Sequence, residues 1–291
     1  MAAQRTPLPG GRWHFQHGPM DIVIGAAGDA GALTEAHEAA WRCFAPLLDQ
    51  LVAELPLLRS RVRAGECPLR GPVARRMWQA CAPHRAGFIT PMAAVAGAVA
   101  QELIGAYRRT GIVRAWANNG GDIALHLAPG ASLRVGLYAD LARLDAAQLR
   151  DGLALDGHLD VEHAMPVRGV ATSGWRGRSF SLGIADSVTV LAATAAEADA
   201  AATVIANAVD VDDPRIVRRP ACALKDESDL GDLPVTVDVL PLDPSTVRRA
   251  LEAGARVARA LQAQGLVHAC ALVCQGRMMT TARTEPEAIA A

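Results

Sequence analysis

The sequence has no apolar run long enough to cross a bilayer. The uncharged stretch from Ala86 to Gln101 contains Pro91 and many small residues, and it falls short of the roughly 20 apolar residues a spanning helix needs. The N-terminal segment MAAQRTPLPGGRWHFQHG has neither the apolar centre of a signal peptide nor a cysteine for lipid attachment. Cytoplasmic residence with no membrane partner is therefore expected. Cys43, Cys67, Cys81, Cys222, Cys270 and Cys274 never form a C-x-x-C pair, which argues against a zinc knuckle or a dithiol redox motif and for reduced, structural thiols. Neither sign of charge is in excess, with 29 Lys and Arg against 30 Asp and Glu. A nucleic-acid domain carries a marked basic surplus, so no nucleic-acid partner is expected. The eight histidines show no zinc-binding spacing, and the signatures of serine hydrolases, P-loop proteins and Rossmann domains are all missing.

What is present is a folding chain. Hydrophobic residues make up 51% and charged residues 20% of 291 positions, a balance that excludes general disorder and suffices for one large domain or two modest ones. Trp13 and Phe15, then Ile22 to Ile24, flank His17-Gly18-Pro19 as two strands and a turn. From Leu33 to about Leu58, apolar residues at three-to-four spacing predict one amphipathic helix, bent at Pro46. Residues 61–86, with three prolines and six arginines, carry no regular pattern. Thr90-Pro91 opens a second helix as N-cap and first-turn proline, running to Gly111. Its first half is almost entirely Ala and Gly, so another backbone or a ligand can approach it closely. Strands are predicted on both sides of Asn118-Asn119-Gly120-Gly121-Asp122, at Ser132–Tyr138, and in GVATS, SFSLGI and SVTVLA. The segment 140–168 reads as irregular apart from a helical turn near Asp145–Leu153. A helix over Thr194–Val209 precedes a strand (Val235–Leu240), a helix (Pro244–Gln264) and a strand (Val267–Val273), with a plausible boundary near Asp210–Pro220.

Three clusters carry chemistry. Asn118 to Asp122 gathers amides, glycines and a carboxylate at one turn; it reads either as a plain hairpin tip or as a cradle for an anionic ligand. Thr172-Ser173-Gly174, followed by Arg176 and Arg178, reads either as a phosphate site or as an ordinary polar loop. Asp199 and Thr203, four apart on a predicted helix, present two oxygens on one face. They suit Mg²⁺, which takes one or two carboxylates and keeps several waters, or else an exposed Asp beside a Thr bonded to its own helix.

In this order, TPMAAVAGAVAQELI (90–104), NNGGDIAL (118–125), GVATSGWRGRSFSLGIADSVTVLA (169–192) and EADAAATVIANAVD (197–210) resemble the UPF0280 family. That family looks like a branch of the ApbE superfamily, whose type members attach FMN from FAD to a threonine of a partner protein using Mg²⁺. The resemblance covers about residues 10–245. It implies an α+β fold, ApbE-like or T-fold-like, of antiparallel sheets flanked by helices, with an ApbE-like core over 1–240 and a C-terminal helix-strand lobe over 241–291 packed on the same unit. It also implies that Mg²⁺ is held by Asp199, Thr203 and the main-chain carbonyl of Ala96. FAD or a related flavin nucleotide would meet Thr90, Asn118, Asn119, Gly120, Gly121, Asp122, Thr172, Ser173, Gly174 and Arg178.

The sequence also departs from the transferases. Their first helix carries a lysine-glycine pair where this chain has Gly97-Ala98. Their histidine and aspartate-proline-x-threonine-glycine loop is replaced by SFSLGIAD, which retains Asp186 as the nearest candidate acid or base. The expectation is a protein that binds a small nucleotide-like pyrophosphate ligand with Mg²⁺, either as an enzyme acting on it or as a binding protein that holds it. A homo-oligomer is compatible with this composition. A third option, a part in making a one-carbon cofactor such as tetrahydromethanopterin, has no residue that bears on it.

Overall fold

The computed structural model describes residues 2–137 and 157–281. Nine strands form one antiparallel sheet in the order β1-β2-β3-β4-β5-β8-β9-β12-β13. They are β1 (Gln4–Leu8), β2 (Arg12–His17), β3 (Met20–Gly28), β4 (Ile112–Asn119), β5 (Asp122–Leu127), β8 (Gly169–Ser173), β9 (Ser187–Ala192), β12 (Ala269–Cys274) and β13 (Arg277–Thr281). Between β5 and β8 in the chain, β6 (Ser132–Leu137) and β7 (Gly157–Glu162) pair with each other, as do β10 (Ile216–Pro220) and β11 (Pro234–Val239) further on. The antiparallel α+β architecture expected from the sequence is the one observed, with helices on one face. Among the described residues no helix is long and apolar enough to cross a membrane.

The first long helix is broken rather than bent. Proline lacks an N–H and its ring collides with the carbonyl four residues earlier, so α1 (Ala30–Phe44) ends before Pro46, and α2 (Leu47–Ala53) and α3 (Leu55–Leu58) follow as separate pieces. The arginine- and proline-rich stretch expected to be irregular contains α4 (Pro72–Cys81). Its first-turn proline suits a helix start, and Glu54 accepts hydrogen bonds from the N–H groups of Arg70 and Gly71 at 2.7 and 2.8 Å. Buried Val73, Ala74, Met77, Ala80 and Cys81 make one stripe, while the arginines that obscured the pattern lie outside it. The predicted helix after Thr90 is a 3₁₀ turn over Pro91–Ala94, then α5 (Val95–Ile104), then a 3₁₀ turn over Gly105–Tyr107.

Two other expectations are corrected. SFSLGI is not a strand, because Asn207 Oδ1 accepts from the Leu182 N–H (2.9 Å) and the Ser181 hydroxyl (3.1 Å), docking the segment on the end of α6 (Ala195–Ala208). The strand β7 occupies part of the segment read as irregular; the helical turn suggested near Asp145–Leu153 lies outside the described residues.

Successive side chains along a strand point to opposite faces of the sheet. Val188, Val190 and Ala192 of β9 pack under α6 and α7 (Pro244–Ala263), whereas Leu191 joins Leu125, Leu127, Val135, Val161 and Val170 on the opposite face, under the β6–β7 hairpin. Strand β9 is therefore buried at all six positions. A third group, with Phe15, Ile22, Ile24, Phe44, Met77, Leu103 and Tyr107, fills the space between α1, α4, α5 and the strands β2 to β4. The chain beyond residue 241 enters the same sheet, since β12 pairs with β9 from Ala269 opposite Leu191 to Val273 opposite Ser187.

The start of α6 is pinned from two sides. Thr194 accepts a hydrogen bond from the Glu197 N–H at 3.3 Å and donates its hydroxyl to Glu197 Oε2 at 2.9 Å, an N-terminal cap of the expected chemistry. Beneath it, a Cβ on Gly169 would lie 2.2 Å from the carbonyl carbon and oxygen of Thr194. Gly169→Ala must push the helix start off β8. It should cost about 1–3 kcal/mol, the usual range for overpacking; denaturant unfolding within about 0.5 kcal/mol of the parent would contradict this.

Candidate functional site

The site residues come together where α5 and α6 cross above the β4–β5 turn. On β4, Ala115, Ala117 and Asn119 face the helices while Trp116 and Asn118 face the other side. The two asparagines are therefore divided. Asn119 Nδ2 donates to the Ala96 carbonyl at 3.2 Å, and Asn118 Oδ1 accepts from the Gly121 N–H at 2.8 Å. Gly120 (φ +68°) and Gly121 (φ +114°) form a two-residue loop between paired Asn119 and Asp122, in the left-handed region where glycine is favoured. The hairpin geometry is thus real, and Arg178 also lies over it, since a Cβ on Gly120 would sit 3.4 Å from Arg178 Nη1.

The two helices touch through their smallest residues. A Cβ on Gly97 would lie 2.2 Å from the Ala195 carbonyl oxygen and 2.9 Å from Asp199 Cβ. At that separation Asp199 Oδ2 accepts the Gly97 N–H at 2.9 Å, and Gln101 Oε1 accepts the Ala196 N–H at 3.2 Å. Each helix satisfies a donor in the first turn of the other, a group that has no partner within its own helix.

Asp122 starts β5, is buried, and accepts the Thr172 N–H at 3.1 Å. Burial pushes its carboxyl up to about 7, against the opposing pull of that N–H. Asp199 is also raised, by desolvation first and by the charge of Asp122 second, with the N–H groups of Gly97 and Ala96 acting in the other direction. Burial and the charge of Asp199 also raise the thiol of Cys81. Thr203 lies one helical turn beyond Asp199 and is half-buried. The donors gathered here are carboxylate, carbonyl and hydroxyl oxygens, the set preferred by a hard cation, and a half-buried Asp199 whose ionisation is opposed by the charge of buried Asp122 fits a nearby positive charge. Among the described residues no three or more His, Cys, Asp or Glu cluster as a metal centre.

The other expected residues flank this centre. Thr172 donates to or accepts from Thr189 across the β8–β9 pair at 2.9 Å, and Ser173 ends β8 opposite Val188. Gly174 follows where a Cβ would meet the Asp186 carbonyl at 2.4 Å. Thr90 precedes the 3₁₀ turn without capping it; its buried hydroxyl donates to Asp229. Asp186 is held in place: its N–H donates to the Val273 carbonyl at 2.9 Å, its Oδ2 accepts the Gln275 N–H at 2.5 Å, and Arg176 Nε lies 3.4 Å from Oδ1. Gln101, Cys81 and Asp229 belong to the surroundings without any sequence signal. Each is a common residue whose meaning depends on a partner more than 90 positions away or on a fold-specific packing.

Fold and site together define an α+β protein with an oxygen-lined helix junction beside a glycine hairpin. Within that class the chain belongs to the UPF0280 family, and a family model described as "AbpE bacteria" matches residues 5–280. It is 37% identical over 188 residues to a UPF0280 protein of Methanopyrus kandleri, covering 64% of this chain and 69% of that one. It is 32% identical over 209 residues to a UPF0280 protein of Methanosarcina acetivorans, covering 71% and 75%. Among solved structures it is similar to a mutant of the flavin transferase ApbE from Vibrio cholerae over 97% of both chains, with TM-score 0.47 and 12% identity.

A buried acid of raised pKa has a definite effect on stability. Because the folded chain holds the Asp122 proton to about 7 and the unfolded chain releases it near 3.8, stability from this group is full below the lower value and is lost as pH rises through the higher one. The loss is bounded at about 4 kcal/mol by linkage. Asp122→Asn should therefore gain stability relative to the parent between pH 5 and pH 8 in denaturant unfolding. A difference that stays constant with pH would show that Asp122 is ionised throughout.

Proposed function

We propose that this protein binds the pyrophosphate of a flavin nucleotide, or of a closely related nucleotide cofactor, together with Mg²⁺ at the α5–α6 junction. The observation that carries the reading is that half-buried Asp199 reaches the N-terminal turn of α5 while Asn119 reaches the Ala96 carbonyl, with the charge of a buried acid, Asp122, bearing on Asp199. Asp199, Thr203 and the Ala96 carbonyl are the cation's protein ligands in this reading. Asn119, Gly120, Gly121 and Arg178 stand where the phosphates would lie, and Asn118, Asp122, Thr90, Thr172, Ser173 and Gly174 form the surrounding shell. A bound Mg²⁺ neutralises phosphate charge and polarises a scissile phosphate bond. Family membership and the motif resemblance to the ApbE transferases make a flavin nucleotide the first cofactor to test.

Holding the cofactor is favoured over transferring FMN to a protein hydroxyl. General-base assistance contributes about 10²–10⁴ in rate, and the only acid kept in the transferase loop position, Asp186, already receives the Gln275 N–H and faces Arg176. A carboxylate so engaged is a poor proton acceptor. Slow Mg²⁺-dependent hydrolysis of the pyrophosphate is the activity compatible with this arrangement, since water needs less activation when the metal carries the charge.

Titration calorimetry of the full chain with Mg²⁺ in the presence of FAD should show one cation site, weakened at least about tenfold by Asp199→Asn through loss of its charged ligand. Equal uptake by parent and variant would remove Asp199 from the site. In a parallel incubation with FAD, Mg²⁺ and a threonine-bearing acceptor protein, intact mass should show no FMN addition. A clear addition would restore the transferase reading, and failure to retain any flavin nucleotide would end the cofactor assignment.

A further inference from the structure

Strands β10 and β11 form an arm outside the nine-stranded sheet and, among the described residues, pair only with each other. Burial fixes the base of this arm. Ile216 and Val239 join the core of α6 and α7, and the Thr236 N–H donates to the Ser181 carbonyl at 2.8 Å. The ladder ends where Pro220 stands opposite Pro234, since proline has no N–H to give. Beyond it lies the tip, residues 221–233, closed by the Ala221 N–H on the Leu233 carbonyl at 3.0 Å and the Cys222 N–H on the Gly231 carbonyl at 2.8 Å.

The tip reaches the N-terminal half of the chain and is fastened there by polar side chains. Residues 222–227 are exposed. Asp229 accepts the hydroxyl of Thr90, and Glu227 pairs with Arg59 at 3.0 Å. An exposed pair such as the second contributes little, so the charge-assisted bond to Thr90 is the main fastening. Glu227 has φ +59°, a left-handed conformation that is unfavourable for a residue with a Cβ. The closed tip is thus strained and lightly held, as segments that open at low cost are.

Thr90 links this fastening to the cation site. It precedes Ala96 by six residues, and the 3₁₀ turn that follows it packs on α4 and α6. Its carbonyl accepts the Cys81 thiol at 3.3 Å, and the charge of Asp199 reaches that thiol. Thr90 is only 2% exposed, and Asp229 supplies the anionic oxygen its hydroxyl meets, much as a phosphate group would. Asp226, Glu227, Asp229 and Asp232 also make the tip acidic, so an anion at the junction repels the closed tip.

We propose that the β10–β11 arm is an autoinhibitory latch: in the free protein Asp229 occupies the Thr90 hydroxyl, and a phosphate-bearing ligand arriving at the α5–α6 junction displaces it and releases the tip. The release step rests on the cofactor site proposed above; the latch itself does not.

Lys225, at the exposed tip, is the only lysine in the sequence. A lysine-specific protease therefore has one peptide bond to cut, and its rate on the folded chain reports how often the tip opens. Rates for the full chain are divided by those for a peptide of residues 219–235 carrying the same substitution. Asp229→Ala should raise the rate at least about tenfold, the effect of losing a charge-assisted hydrogen bond. Thr90→Val should do the same, and the two together no more than either alone. FAD with Mg²⁺ should accelerate cleavage of the parent. Equal rates for parent and Asp229→Ala overturn the latch, as does a parent already cut as fast as the peptide. If thermal melts show that Asp229→Ala does not fold, Thr90→Val decides on the same terms. FAD that binds and slows cleavage overturns the release step, because the tip then closes over the ligand. If titration shows no FAD binding, the release step falls with the cofactor assignment, while the ligand-free rates still decide the latch.

Discussion

The near-contact of α5 with α6 at Gly97 is the constraint on which the candidate site depends. The Gly97 backbone lies so close to the Ala195 carbonyl that even a methyl group has no room. Ala98 and Ala100 on one helix and Ala195, Ala196 and Ala198 on the other keep both surfaces shallow and buried. Only at this separation can Asp199 cap a first-turn N–H of α5, and Gln101 one of α6. Larger side chains would bury more apolar area, at roughly 25 cal/mol per Å², but they would separate the helices and leave those donors without partners.

That geometry places an acid where it is costly without a cation. Asp199 and Asp122 are brought together by two different parts of the fold, the helix pair and the β4–β5 turn, and each is harder to ionise than a solvated carboxylate. Each acid accepts a backbone N–H, from Gly97 and from Thr172, which offsets part of the cost of desolvating it. Their position beside a hairpin of two glycines and a guanidinium is the arrangement on which the proposed cation and phosphate site rests.

The sheet distributes polar groups along one of its faces. Strand β5 carries Asp122, Ala124 and His126 on its helix-facing side, with Ala124 in the core below α5 and His126 paired with the Ile112 carbonyl. The reverse face is occupied by the β6–β7 hairpin over Leu125, Leu127 and Leu191, leaving the helix-covered face for polar work.

Local patterns in the sequence determined most individual elements and the main motif clusters. The Asn-Gly turn, the SVTVLA strand and the helix after Thr194 were legible because turn chemistry, β-branching and helix propensity act within a few residues, whereas the N-cap expected at Thr90 is found at Thr194 instead. The ordered motifs also carried the family. Tertiary structure decided the rest: that Pro46 separates two helices, that arginine-rich residues 72–81 make a helix around a buried stripe, and that SFSLGI is docked by Asn207 rather than paired as a strand. It alone decided that Asn119 and Asn118 serve opposite faces, that Asp186 is occupied by Gln275 and Arg176, and that the charge of Asp122 bears on Asp199. The physical reason is range. A carboxylate's ionisation is set by desolvation and by charges a few ångströms away, and here the decisive neighbours are separated by as many as about a hundred residues of chain, a distance that no local pattern encodes.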